Sequence, residues 1–407
     1  MNILYIEHYA GSPEMGMEFR PYYLAREWVR MGHKVTIIAG DYSHLRKKNP
    51  SVVNDFTADE TDGIEYVWLR TGEYQGNGVK RALTMERFIR KLYFNAAKIA
   101  KRWKPDLVIS SSTYPLDTYP AQKIAKLAKA TYVHEVHDMW PATLYEVGGM
   151  SKKHPFVIAM QAGEDSAYKH CDKCVSLLPY AEGYMREHGL APGKFVNIQN
   201  GIDEDEWEHA EKIPETHERF FEEHRGEFIV GYFGGHALSN ALDKSLDVAK
   251  KMQKDYPDVT FVFVGDGVEK ARLMKRAEDE NITNAFFLPP VSKRSVPDLL
   301  RHFDCSYMTG LPSPLYRFGL CLNKMYDSMM GGIPVVCAFD APDTIIRQYG
   351  CGIQCEPENE NEVIDAIRAI REMSPEERRS MGAKGREAVM SRFTYKVLAG
   401  QFLDSIK

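Results

Sequence analysis

The chain has 407 residues, of which 44% are apolar, 27% charged and 11% aromatic, the make-up of a globular protein with cores enough for two or three ordinary domains. Those proportions exclude a disordered chain, a collagen-like fibre and a small disulfide scaffold, and no apolar run reaches the roughly 18–20 residues that span a bilayer. The net charge of −5 conceals a split, with residues 1–200 summing to +4 and residues 201–407 to −9, so two domains with different partners are expected. A nucleic-acid binder would need a stronger basic bias and groove-reading motifs.

The N-terminal MNILYIEHYAG has neither the basic start nor the long apolar stretch of a signal peptide. It reads directly as a strand over Asn2–Ile6, and a cytoplasmic protein is expected. Helical spacing follows over Pro21–Met31, is ended by Gly32-His33, and gives way to a strand at Val35–Ala39. Residues 80–104 carry nine basic side chains and one acid, Glu86, with Phe88, Ile89, Leu92, Tyr93, Ile99 and Trp103 at roughly helical spacing. A strand at Leu107–Ser110, a helix over Tyr119–Ala130 and a strand at Thr131–Val136 complete a β–α–β rhythm. Near-continuous apolar strands in that rhythm predict a parallel sheet covered on both faces.

The rhythm restarts after residue 225. Strands are predicted at Phe228–Phe233, Thr260–Val264, Ala285–Leu288 and Ile333–Cys337, with helices over Asp243–Lys254 and 323–330. The spacing predicts two Rossmann-like, doubly wound α/β domains facing a cleft, residues 1–200 and 226–390. The charged stretch 201–225 is read as a linker and 391–407 as a helix packing back on the first domain. In such sheets ligands sit at the carboxyl ends of the strands.

The first turn, Gly11-Ser12-Pro13-Glu14-Met15-Gly16, is neither a dinucleotide G-x-G-x-x-G nor a P-loop, so a nicotinamide enzyme is set aside. Seven cysteines without framework spacing read as reduced thiols. Cys171-x-x-Cys174 has no matching second pair beyond Cys351 and Cys355, and no metal site is expected. Asp203-Glu204-Asp205 has the D-x-D shape of a manganese motif but falls in the charged stretch and reads as an exposed acidic run.

Taken in order, five features carry a resemblance: the first strand and glycine loop with Arg20 and Leu24-Ala25; Gly32-His33-Lys34-Val35; His137-Asp138; Asn200-Gly201-Ile202-Asp203; and Phe318-Gly319 followed by Asp327 and Gly332-Ile333-Pro334-Val335-Val336. The chain resembles the retaining GT-B glycosyltransferases of family 4 over essentially its whole length. Pro13-Glu14-Met15-Gly16, His137-Asp138-Met139-Trp140-Pro141 and Asn323-Lys324 are similar to a subgroup that builds bacterial surface polysaccharides, including fucosamine transferases of the WbuB type.

The resemblance implies where the site lies. At the donor end Asn323 is expected to cap a helix whose N-terminus suits a diphosphate, with Lys324 and Arg317 adding charge and Asp327 accepting from ribose hydroxyls. The family's first glutamate would fall at Gly319, or near Tyr316 if the insertion is shifted, and Asp327 stands in for the second. The family's basic pair after Gly234-Gly235 is missing, leaving Gly235, His236 and Lys244 as the neighbours there. Val291 is expected beside the base. At the other end His137 and Asp138 follow a strand and are the catalytic candidates, His137 touching the transferred sugar and Asp138 orienting it or receiving an acceptor proton. His134 and Glu135 are left to the strand. Gly16 and Met17 are expected to set backbone N–H groups beside the phosphate or the acceptor, Gly16 on the donor side and Met17 on the acceptor side with Arg20 behind them.

The reaction implied is transfer of a hexosyl or N-acetylhexosaminyl group from a nucleotide sugar, a UDP-sugar by preference, to a glycan or polyprenyl-diphosphate-linked acceptor. It is expected to retain configuration and to need no metal or cofactor. A GT-B nucleotide-sugar epimerase and a non-catalytic sugar-binding module are the alternatives. The basic, partly apolar stretch 80–104 is expected to make peripheral contact with an anionic membrane.

Overall fold

Runs such as NILYI and KVTIIAG leave no polar face for water, so strands made of them need cover on both sides. The computed structural model describes residues 1–16, 19–76 and 78–407. They form two units, Met1–Gln199 with Tyr395–Lys407, and Asn200–Thr394. Met17, expected on the acceptor side, lies outside the described residues.

The first unit holds β1 (Asn2–Ile6), β2 (Lys34–Gly40), β3 (Thr57–Thr61), β4 (Ile64–Leu69), β5 (Leu107–Ser110), β6 (Thr131–Val136), β7 (Lys173–Ser176) and β8 (Phe195–Asn197). They form one sheet in the order β3-β4-β2-β1-β5-β6-β7-β8, parallel except for β3 against β4. The polar sequence TADET makes β3 a suitable edge, since charged side chains discourage further pairing. Helix Phe19–Arg30 packs between the sheet and helix Tyr395–Ser405. Trp28, fully buried, donates Nε1–H to the Ala399 carbonyl at 3.0 Å, and Tyr23 stacks on Tyr395 with ring centroids 4.6 Å apart. Burying side chains of this size contributes roughly 1.5–3 kcal/mol each.

The second unit holds β9 (Phe228–Phe233), β10 (Val259–Val264), β11 (Ala285–Leu288), β12 (Cys305–Thr309), β13 (Val335–Ala338) and β14 (Gly352–Cys355). All pairs are parallel, in the order β11-β10-β9-β12-β13-β14. The order reverses between β9 and β12, the place where doubly wound sheets open for a ligand. β13 starts later than the apolar run suggests because Pro334 has no N–H to give a neighbour.

Three expectations about elements need correction. Residues 201–225 are not a linker: they form helices Glu204–Glu208 and Glu215–Glu223 of the second unit, with Ile213 and Phe221 in its core. Asp203, read as part of an exposed acidic run, is buried. Residues 80–104 form two helices, Val79–Phe94 and Ala96–Trp103, interrupted at Asn95. Phe88, Leu92 and Ile99 of the apolar stripe are core residues, and the apolar side chains left outside are Val79, Leu83, Tyr93 and Phe94. No helix among the described residues is long and apolar enough to cross a membrane.

Candidate functional site

In the second unit the chain leaves β9 through Gly234-Gly235-His236. Two glycines of the next loop make room for it. A Cβ on Gly265 would stand 1.9 Å from the Gly234 carbonyl oxygen, and one on Gly267 2.4 Å from that of His236. Lys270 holds this edge by donating to the carbonyls of Gly265 (2.7 Å) and Leu288 (2.8 Å). The Gly235 carbonyl accepts from Tyr232 Oη (2.7 Å) and Asn240 Nδ2 (2.8 Å). Gly235 faces open space, while a Cβ on Gly234 would stand 3.5 Å from Lys324 Nζ.

His236 is fully buried, and neither ring nitrogen has a partner. Burial, with Lys270 and then Lys324 nearby outweighing Asp266, pushes it down to about 4, so the ring is neutral at pH 7. Lys324 stands beside it on the first turn of helix Asn323–Gly331. Its Nζ donates to Tyr232 Oη at 3.1 Å and Asn240 Oδ1 at 3.2 Å, and no carboxylate among the described residues pairs with it. Burial lowers it to about 8. A partly buried cation without a counter-charge is costly, and so is an orphaned imidazole. Asn323 was expected as the helix cap. It is instead the first helical residue after Leu322, and no side chain caps this end. Met325 N–H goes back to the Leu322 carbonyl at 3.0 Å, and the N–H groups of Asn323 and Lys324 are left to water or a ligand.

The remaining donor-side residues divide. Asp327 is buried one turn further on, with both oxygens on Lys293 Nζ at 2.6 and 2.7 Å. Gly319, at φ +99°, ends the 3-10 turn Pro314–Phe318, a conformation glycine adopts without strain. Arg317 bonds within that turn to the Pro314 carbonyl and lies over the Phe318 ring at 4.2 Å. Val291 packs against the core under β9 and β10. Lys244 is a correction: it points along the surface to Glu360 at 3.8 Å, and Lys324 and Lys270 are the cations at the glycine loop.

In the first unit the carboxyl ends of β1, β5 and β6 converge on Glu135, the residue left to the strand by sequence reasoning. Its side chain is wholly buried. Oε1 accepts from Arg20 Nε (3.0 Å) and Nη2 (2.9 Å); Oε2 accepts from Tyr5 Oη, Ser111 Oγ (2.6 Å) and His137 Nε2 (3.1 Å). Burial alone would raise this carboxyl, but Arg20, His137 and the hydrogen bonds from His137 and Ser111 outweigh it and hold it below the usual carboxylate range. His137 is half-buried, and its Nε2 also lies 2.8 Å from Ser111 Oγ.

Three expectations change here, and one residue is new. Arg20 is not on an acceptor surface: it is turned inward to Glu135 and to the carbonyls of Ile198 (2.9 Å) and Gln199 (2.6 Å). Asp138 does not orient His137. Its Oδ1 accepts from Met139 N (2.8 Å) and Thr143 Oγ1 (3.1 Å), holding the turn into Trp140-Pro141. Gly16 does not offer its N–H, which closes a turn onto the Ser12 carbonyl at 2.9 Å. Asp117, not anticipated, accepts from Ser112 N at 2.9 Å and leaves Oδ1 unmet, and burial raises it to about 7.

Elsewhere in this unit Glu164, Asp165 and His188 offer ligand atoms within 4.8 Å of one another. The Gln161 amide and the hydroxyls of Tyr168 and Tyr184 fill that cluster with hydrogen bonds. All seven cysteines are free thiols, and six are buried.

Comparison with known proteins matches residues 15–201 to the glycosyl transferase 4-like domain and residues 215–388 to the glycosyl transferases group 1 domain. A protein named for colanic acid biosynthesis, the glycosyl transferase WcaI of Escherichia coli (strain K12), is 24% identical over 286 residues, 69% of either chain. Among solved structures, sucrose-phosphate synthase (tll1590) from Thermosynechococcus elongatus superposes with a TM-score of 0.74 at 16% identity, covering 99% of this chain and 98% of that one. Anabaena Alr3699/HepE in complex with UDP gives 0.69 at 16% identity, covering 100% and 99%. Matched by both domain models and built on two parallel-sheet α/β units, the chain belongs to the family 4 glycosyltransferases of GT-B fold.

Proposed function

We propose that this glycosyltransferase moves a hexosyl or N-acetylhexosaminyl group from a UDP-sugar to a glycan or polyprenyl-diphosphate-linked acceptor in surface polysaccharide synthesis, with retention of configuration. The observation that carries the donor reading is that Lys324, a cation with no counter-charge among the described residues, and His236, an imidazole with no partner among them, lie together at the reversal point of the second sheet. A diphosphate supplies what both lack, and the uncapped helix behind Lys324 adds N–H donors. Fixed positive charge at the departing phosphate is the largest contribution this chain can make to an oxocarbenium-like transition state. The acceptor oxygen attacks from the face the diphosphate leaves, and His137 contacts a sugar hydroxyl.

The preference for UDP and the polysaccharide setting are supported by relatives named for them, a UDP complex and a colanic acid transferase. Peripheral membrane contact is supported by Val79, Leu83 and Phe94, exposed beside Lys80, Arg90 and Lys98. A donor panel read by thermal shift and nucleotide release tests the whole reading. The expected result is stabilisation by UDP and by one UDP-sugar, with acceptor-dependent release of UDP. Release without acceptor would point to an epimerase, and binding without turnover to a sugar-binding module.

A further inference from the structure

The network round Glu135 fixes more than the position of a ring. Oε2 of Glu135 can only accept, and it takes the Ser111 hydroxyl proton at 2.6 Å. Ser111 Oγ, its own proton committed, is left as an acceptor toward His137 Nε2 at 2.8 Å. His137 Nε2 therefore faces two acceptors, the carboxylate at 3.1 Å and the hydroxyl oxygen, and must carry a hydrogen. No protein group bonds Nδ1 among the described residues. Arg20, all donor, closes the other side of the carboxylate. The groups facing His137 across the sheet ends are Glu135, Asp117 and His134.

We propose that Glu135 is a positioning residue that locks His137 as the Nε2–H tautomer, so that Nδ1 meets the substrate hydroxyl as an acceptor. This rests on the reading of His137 as the sugar contact. A hydroxyl held by Nδ1 donates its proton inward and keeps its oxygen electron-rich next to a centre that is losing an anion. The Nδ1–H tautomer would do the reverse and withdraw density from the same oxygen.

Arg20 makes the consequence of Glu135→Gln definite. The guanidinium needs an acceptor, so the amide oxygen turns to Arg20 and the amide nitrogen faces Tyr5, Ser111 and His137. Its two N–H groups only donate, so Nε2 loses the carboxylate as an acceptor and meets a donor instead, which favours the Nδ1–H tautomer. The experiment is ¹⁵N correlation of histidine ring nitrogens, which separates the two neutral tautomers, with the His137 signal assigned by its loss in His137→Asn. Wild-type protein is expected to show Nε2–H and Glu135→Gln to show Nδ1–H, with kcat about 100-fold lower. Ser111→Ala removes one acceptor and leaves the carboxylate, so Nε2–H should persist. An Nδ1–H signal in the wild-type protein overturns the proposal even if Glu135→Gln does not fold, and so does an uninverted signal in a folded Glu135→Gln. Full activity in folded His137→Asn would instead remove the sugar-contact reading, whatever the tautomer.

Discussion

At the scale of single residues, charge without a partner is the informative observation. Lys324 has its proton affinity lowered to about 8 against an ordinary 10.5, by burial. Between those values the unfolded chain binds the proton and the folded one does not, so this group makes the unliganded protein more stable as pH rises from 8 to 10.5. A bound diphosphate reverses the preference, because it holds the ammonium. UDP affinity should thus fall above pH 8, by up to tenfold per unit, with proton uptake detectable by titration calorimetry in buffers of different ionisation enthalpy. Lys324→Met should weaken UDP binding roughly 10- to 100-fold, the worth of a charge-assisted hydrogen bond, without lowering the melting temperature of the unliganded protein. Asp327→Asn should weaken UDP binding about tenfold if its carboxylate reaches the ribose, while Lys293→Ala, which frees both oxygens, should leave binding within threefold. Equal losses in the two variants would make the pair structural. Asp327 and Lys324 stand out in the sequence from their place after Phe318-Gly319, and the fold sets both in helix Asn323–Gly331. Glu135 does not, although a signal exists: it lies two residues before His137, hence on the same side of an extended chain, in a strand with no solvent face. A carboxylate there must be paired. Its partner Arg20 is 115 residues away, and no local pattern reveals such a pairing.

Elements were easier to read than residues because strands buried on both faces announce themselves as apolar runs, and β1, β5, β6, β9 and β11 fall where those runs do. Charge density misled twice. In 201–225 it hid a helix that buries only His217 and Phe221 on one narrow stripe, and in 80–104 it hid the break at Asn95, whose side chain donates to the Lys91 carbonyl at 2.8 Å. The loop after β10 offers a test at this scale. Gly265→Ala drives a methyl group into the Gly234 carbonyl, so the glycine loop must shift. The variant should bind UDP at least tenfold more weakly by calorimetry, and should melt several degrees lower. The far end of the chain offers another. Helix Tyr395–Ser405 places Leu398, Ala399, Phe402 and Leu403 in the first unit's core, so deleting residues 395–407 should destabilise that unit selectively. Limited proteolysis should cut within residues 1–199 of the deletion variant while residues 200–394 survive.

For the molecule as a whole, the split of charge between the halves sets how it meets surfaces. Residues 1–200 are net positive and residues 201–407 net negative, so an anionic surface attracts the first and repels the second. Co-sedimentation with anionic vesicles is expected at low salt and should be lost at high salt. Arg87, Arg90, Lys98 and Lys101 changed together to Glu should abolish it and leave UDP binding intact. Wild-type protein remaining in the supernatant would make a soluble acceptor the better reading. The interleaved chain path has a consequence for synthesis. Residues 200–394 are contiguous and have every partner they need as soon as they emerge from the ribosome. The first unit begins earlier yet finishes later, because Trp28 and Tyr23 wait for Ala399 and Tyr395. Throughout translation of nearly two hundred intervening residues an aromatic patch stays uncovered, which makes this protein one whose yield should depend on chaperones during elongation rather than after release.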